Sequence, residues 1–219
     1  MKADIYSHTH LISTVEIIPG DISMGGIYGL FSPTMAFDTY IKPKFKKHWL
    51  TSILGLKPSS TLELNVQLEN GYFIFAEGGI TIEQDENNLL RIDMAGVDTD
   101  VIHNFLLTEP PLLFVEDPWE TISIQQKIAF EEELYKELGT NGSFKSKHPL
   151  QGFELKALCK HGGSDDVLFT SRHRDSENQF AVIHLTWRGD VEAIGYPKVK
   201  FYKDLESFKN LRMQSDKQE

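Results

Sequence analysis

The stretch LELNVQLENGYFIFA, residues 62–76, decides the fold class. Leu62, Leu64, Val66 and Leu68 alternate with Glu63, Asn65 and Gln67. A two-residue period puts one set on a dry face and the other on a wet one, as in a half-buried strand. Asn70-Gly71 follows, a pair that accepts the backbone of a tight hairpin. The chain returns as YFIFAEGGITIEQ, turns again at Glu86-Asn87-Asn88 and closes with LLRIDM. Residues 62–94 are therefore a predicted antiparallel meander.

Upstream, LISTVEII is β-branched and ends at Pro19-Gly20, a strand with its stop signal. Gly25, Gly26 and Gly29 break the next apolar stretch, where glycine permits backbone angles or close approaches that side chains forbid. Ser32-Pro33 predicts the start of a helix carrying Met35, Ala36, Phe37, Tyr40 and Ile41. Downstream, Asp98 or Asp100 is placed to cap a short helix. Ser123 and Gln126 have capping-box spacing, ahead of a helix over 124–138 that ends at Gly139. Its apolar positions are Ile124, Ile128, Leu134, Tyr135 and Leu138. Thr140 to Lys147 reads as a loop. FELKALCK, DDVLFTS, QFAVIHLTW, VEAIG and KVKFY are predicted strands, and Asp204 opens a closing helix. QFAVIHLTW is apolar on both faces, which predicts a central, covered strand. Hairpin-linked strands with few helices between them imply an α+β fold with mainly antiparallel sheets. The expected halves are residues 1–116, β-rich with the acidic segment, and residues 117–219, α+β.

The chain has 219 residues, 40% of them hydrophobic and 25% charged, the make-up of an ordinary globular protein. That length buries a core without disulfides, and the single Cys159 leaves no intramolecular pair. No apolar run reaches membrane-spanning length and no apolar leader is visible, so a cytoplasmic protein is expected. The net charge of -10 disfavours a nucleic-acid-binding surface. Charge is uneven: residues 61–116 hold one cation, Arg91, against eleven acids. A surface of one sign speeds encounter with a partner of the other. Glu77, Glu83, Asp85, Glu86 and Asp93 are the expected contacts with a basic partner. Lys42, Lys44, Lys46 and Lys47 form a compact basic run just before them.

Catalytic signals are sparse. Asp165-Asp166 precede one strand and His184 lies within another; if these strands pair, a carboxylate orients the imidazole for acid–base work. Neighbouring carboxylates on a strand point to opposite faces, so only one of the two reaches His184. The competing reading makes the aspartates turn or cap residues and His184 a hydrogen-bonded core residue. His8 and His10 share a face if extended, half of a metal site. Cys159 reads as a buried thiol. Gly25, Gly26 and Gly29 do not form a dinucleotide loop, and no phosphate loop is present, so no cofactor is expected. Trp49, Trp119 and Trp187 read as core anchors, with an interface hot spot as the alternative for one of them.

Residues 148–208 resemble a small bacterial family without assigned chemistry. The resemblance rests on His148-Pro149-Leu150-x-Gly152, Asp165-Asp166-Val167-Leu168-Phe169, Phe180-Ala181-Val182-Ile183-His184-Leu185-Thr186-Trp187, Pro197 and Phe208. The stretch GDISMGGIYGLFSPTMAFDTYIKPKF, from Gly20 to Phe45, is similar to the opening of a second uncharacterised bacterial group. By analogy, small acidic proteins of this sort resemble bacterial immunity proteins, which block a cognate toxin by binding it. The leading expectation is a non-enzymatic binding module for a basic protein. The alternatives are a small hydrolase or transferase using Asp165 or Asp166 with His184, and a structural subunit that self-associates through a sheet edge.

Overall fold

The computed structural model describes residues 1–43, 63–84, 89–139, 148–193 and 195–217. The turn at Glu86-Asn87-Asn88, the loop Thr140–Lys147, Trp49 and three of the four clustered lysines (Lys44, Lys46, Lys47) lie outside them. Two compact units divide the chain, Met1–Leu113 and Phe114–Glu219. The fold is α+β and mainly β, with three antiparallel sheets. Among the described residues no helix is long and apolar enough to cross a membrane.

The first unit holds β1 (Lys2–Ser7), β2 (His10–Glu16), β3 (Ile18–Pro19), β4 (Ile27–Leu30), β5 (Leu64–Leu68), β6 (Phe73–Ile74), β7 (Ala76–Gln84) and β8 (Leu90–Val97). They form two sheets, β2-β1-β5-β6 and β3-β4-β8-β7. The predicted meander is thus shared between sheets. Its first hairpin, β5–β6, joins β1, and its second pair, β7–β8, joins β4. β6 ends at Ile74, and β7 begins with a bulge between Ala76 and Gly79. Such an irregularity bends a strand and redirects its side chains. β1 itself, absent from the sequence reading, buries Ala3 and Ile5 and pairs with β5 from Ala3↔Leu68 to Ser7↔Leu64.

Two glycines of the predicted Gly-broken stretch are explained by crowding. Gly25 has φ 62, and a Cβ there falls 2.3 Å from the Val97 carbonyl oxygen. At Gly29 a Cβ falls 2.9 Å from the Glu16 carbonyl oxygen. The following helix starts later than predicted. Pro33 bridges to Ser13, and Thr34 supplies the cap, its hydroxyl accepting from the Phe37 amide.

The second unit holds β9 (Trp119–Thr121), the helix Ile124–Leu138, β10 (Glu154–His161), β11 (Asp166–Arg172), β12 (Phe180–His184) and β13 (Lys198–Tyr202). The sheet order is β13-β12-β11-β10-β9. The Ser123–Gln126 capping box forms in both directions. On the helix, however, the buried stripe runs through Lys127, Phe130, Glu133, Leu134, Glu137 and Leu138, while Tyr135 is exposed. β12 is central, with Phe180 to Ile183 all buried, but it stops at His184. VEAIG is irregular where described, not a strand. Asp204 caps the C-terminal helical segment through the Ser207 amide.

His148 shows why the His-Pro-Leu turn is shaped as it is. Its Nδ1 accepts from the Leu150 amide at 3.2 Å, so Nε2 carries the proton and faces the Pro197 carbonyl at 3.2 Å. Burial depresses the pKa of this imidazole, outweighing the pull of that carbonyl. The unfolded chain therefore takes up the proton first as pH falls. The stabilisation is complete above about pH 6.5, the ordinary histidine value, and is lost as pH drops through the lower folded value. Urea midpoints measured between pH 8 and 5 should fall in the wild type and fall less in His148→Gln.

Candidate functional sites

In the first unit β7 and β8 carry three acids of the acidic stretch, Glu77, Glu83 and Asp93. The pleat directs Ile82, Ile92, Met94 and Ile27 into the core. Their neighbours Thr81, Glu83, Arg91, Asp93 and Tyr28 occupy the opposite face. Register aligns them in rows: Glu83 opposite Arg91, Thr81 opposite Asp93, and Asp93 opposite Tyr28. Arg91 donates from Nε to Asp93 Oδ1 at 2.9 Å, with a second bond from Nη2, and lies 4.3 Å over the Tyr28 ring. Exposed Leu30 and Ile18 extend the same sheet's outer side.

The remaining acids are dispersed. Glu63 pairs with His8 at 2.8 Å, Asp98 caps the Asp100 amide, and Glu116 binds Lys217. Glu77 is exposed but sits on the bulged part of β7, out of step with Glu83. Asp85 and Glu86 lie outside the described residues. Of the five expected partner contacts, the structure therefore aligns Glu83 and Asp93. A shallow groove of 280 Å³ adjoins them, lined by Gly20, Asp21, Tyr28, Gly79, Thr81 and Asp93 among others. Sequence reasoning missed Asp21, which reaches this face through the turn Ile22–Met24 that it caps.

In the second unit β11 pairs with β12, the condition on which the acid–base alternative rests, and Asp166 stands directly opposite His184. Asp166 Oδ1 meets His184 Nδ1 at 2.8 Å. Its Oδ2 accepts from Arg212 Nη2 at 2.8 Å, and Arg212 Nε reaches Asp216 Oδ2 at 2.7 Å. Trp119 Nε1 donates to that same Asp216 oxygen at 2.9 Å. Burial works against the Arg212 charge, but the bond to Asp216 and the charges of Asp216 and Asp166 more than offset it, raising its pKa. Asp165, in the bend just before β11, points elsewhere and accepts from Trp187 Nε1 at 3.1 Å. The core reading of His184 is corrected: its side chain is 47% exposed, because β12 ends there and the sheet no longer covers it. With Nδ1 held by Asp166, Nε2 is the nitrogen left to exchange a proton.

Trp187 corrects a second expectation. Trp119 is a buried anchor, but Trp187 is 46% exposed and has φ 57, unusual for a bulky residue. Glu137 enforces this conformation. Its Oε1 accepts from the Thr186 amide at 2.6 Å, the Trp187 amide at 3.0 Å and the Thr186 hydroxyl at 3.0 Å. Glu133 takes the Gly189 amide at 2.9 Å. Both carboxylates are buried.

The other candidates separate. His8 goes to Glu63, while His10 stacks on Tyr40 at 4.3 Å. Cys159 is fully buried, and burial pushes its thiol pKa well up. Among the described residues no group of three or more His, Cys, Asp or Glu is gathered to hold a metal ion.

No family model, no curated protein and no solved structure matches the chain, so the two resemblances rest on the residues that carry them.

Removing the Glu137 carboxylate strands the Thr186 and Trp187 amides, while the Thr186 hydroxyl keeps Glu192 as acceptor; an amide left without an acceptor costs about 1–3 kcal/mol. Glu137→Ala should therefore lose at least about 2 kcal/mol in urea unfolding. Asp165→Asn, whose side chain is exposed, should stay within about 0.5 kcal/mol of wild type.

Proposed function

We propose that the chain is a cytoplasmic binding protein that recognises a basic protein partner through the outer face of the β3-β4-β8-β7 sheet, in the manner of an immunity protein. One observation carries the reading. Asp93 and Asp21 flank Tyr28 on a sheet face whose reverse side is core, and Glu83 stands opposite Arg91 on that same face. The backbone holding these carboxylates is braced by the core, so little ordering entropy is lost on binding. Charge complementarity speeds encounter, and Tyr28, Leu30 and Ile18 offer contact area for residence.

Titration with a short oligo-lysine peptide, followed by amide NMR, tests it. At low salt the shifts should centre on Tyr28, Thr81 and Asp93. Glu83→Lys should weaken binding about tenfold, a like-charge effect that fades above about 0.5 M salt as screening shortens to a few ångströms. Binding that ignores both the reversal and the salt would remove the electrostatic basis of the reading.

A second reading, acid–base chemistry in the second unit, is favoured by the Asp166–His184 contact at 2.8 Å and the exposure of the imidazole. It predicts hydrolysis of 4-nitrophenyl acetate above the buffer rate. The excess should vanish in His184→Gln and persist in Glu83→Lys. Equal rates with and without protein would eliminate it.

A further inference from the structure

The groove beside Asp93 has a definite shape and chemistry. Its floor is made of residues with little or no side chain, Gly78, Gly79, Ala95 and Thr81. A Cβ at Gly78 would sit 2.8 Å from the Ala95 Cβ, so the floor is flat because glycine is there. Above Gly79 a Cβ would meet nothing within 4 Å, so the space over the floor is open. Tyr28 and Arg91 form one side, and Asp21 and Asp93 bring two carboxylates. Asp21 is held in place, its Oδ1 accepting from the Ser23 amide at 3.1 Å and the Ser23 hydroxyl at 2.6 Å. The Ser23 hydroxyl also keeps the Asp21 carboxyl below its ordinary range, so it stays charged at neutral pH.

The volume of 280 Å³ falls below the roughly 300–1,000 Å³ usual for cofactor and drug-sized sites. One amino-acid side chain suits it better. An anion would face two carboxylates, Asp21 and Asp93, whose charge the single Arg91 guanidinium in the same lining offsets only in part. An apolar side chain would take the second oxygen of Asp21 and of Asp93 out of water with nothing to replace its hydration, since Ser23 and Arg91 bond only the first. A cation avoids both costs. Among cations the planar guanidinium lies flat on a floor of small residues and forks to two separate acceptors, which a compact ammonium does less well. The face already holds one guanidinium this way, Arg91 on the Tyr28 ring with Asp93 as acceptor.

We infer that the groove is a receptor for a single arginine side chain of the partner, lying across Gly79 and Ala95 with its head between Asp21 and Asp93. This rests on the reading of the sheet face as a docking surface, and it adds which partner residue anchors there.

The test uses monovalent probes on the full chain, N-acetyl-arginine amide and N-acetyl-lysine amide, alongside the oligo-lysine peptide. Amide NMR should show arginine-amide shifts confined to Gly79, Thr81, Ala95 and their neighbours, with weaker lysine-amide shifts. Ala95→Leu fills the groove from an exposed position without changing charge. Asp21→Asn removes one carboxylate and keeps a capping side chain. Each should weaken arginine-amide binding at least fivefold, while Ala95→Leu leaves oligo-lysine binding within twofold of wild type. Spectra matching wild type away from the groove would show that both variants fold. Arginine-amide binding unchanged in both variants, equal shifts from lysine amide, or shifts elsewhere would overturn the groove assignment and leave the face reading standing. Failure of all three probes to perturb this face would remove both.

Discussion

The two-residue pleat of an antiparallel strand is the constraint on which both units depend. In the first unit it sends Ile82, Ile92 and Met94 into the core. The intervening Thr81, Glu83, Arg91 and Asp93 then have nowhere to go but outward, in rows that run on to Tyr28 through Asp93 and to Leu30 through Arg91. The charged face is therefore a by-product of the core's own geometry. In the second unit Asp166 opens β11 and the pleat turns it toward His184, while Asp165, in the bend just before, goes to Trp187.

Buried charge organises the second unit as much as apolar packing does. Glu133 and Glu137 project from the long helix and collect amides from the segment after β12. Three donors on Glu137 Oε1 replace much of the hydration that carboxylate gave up, although its Oε2 is buried without a partner. Asp216 and Asp166 do comparable work at the C-terminal helical segment. They share Arg212 between them and tie Trp119 to the same network. Helix and sheet are thus keyed together by groups that fit only one arrangement.

Much of this was legible. Local signals that depend on nearby residues came through: the Asn70-Gly71 hairpin, the Ser123 capping box and the Asp204 cap. What was lost depends on partners distant in sequence. Lys127, Glu133 and Glu137 lie in phase with Phe130 and Leu134, but a charged side chain reads as solvent-facing until its acceptor or donor is known. β1 was overlooked because Lys2, Asp4 and Tyr6 mask Ala3 and Ile5, and its second partner, β5, lies far along the chain. The acidic run suggested one continuous surface. Folding instead gave Glu63, Asp98 and Glu116 local duties and brought in Asp21 from outside the run. The groove at Asp21 had no signal beyond its glycines, which also serve close packing.

The pairing of β1 with β5 has a consequence for how the protein is made. Lys2–Ser7 can zip with β2 as soon as both leave the ribosome, but its other edge stays bare until Leu64–Leu68 is synthesised. At about 5–20 residues per second that interval lasts several seconds. An unfinished hairpin with an open edge invites pairing with a neighbouring nascent chain. The alternation of Lys2 and Asp4 along β1 places opposite charges on that waiting strand, a feature that discourages flat, indiscriminate stacking during translation.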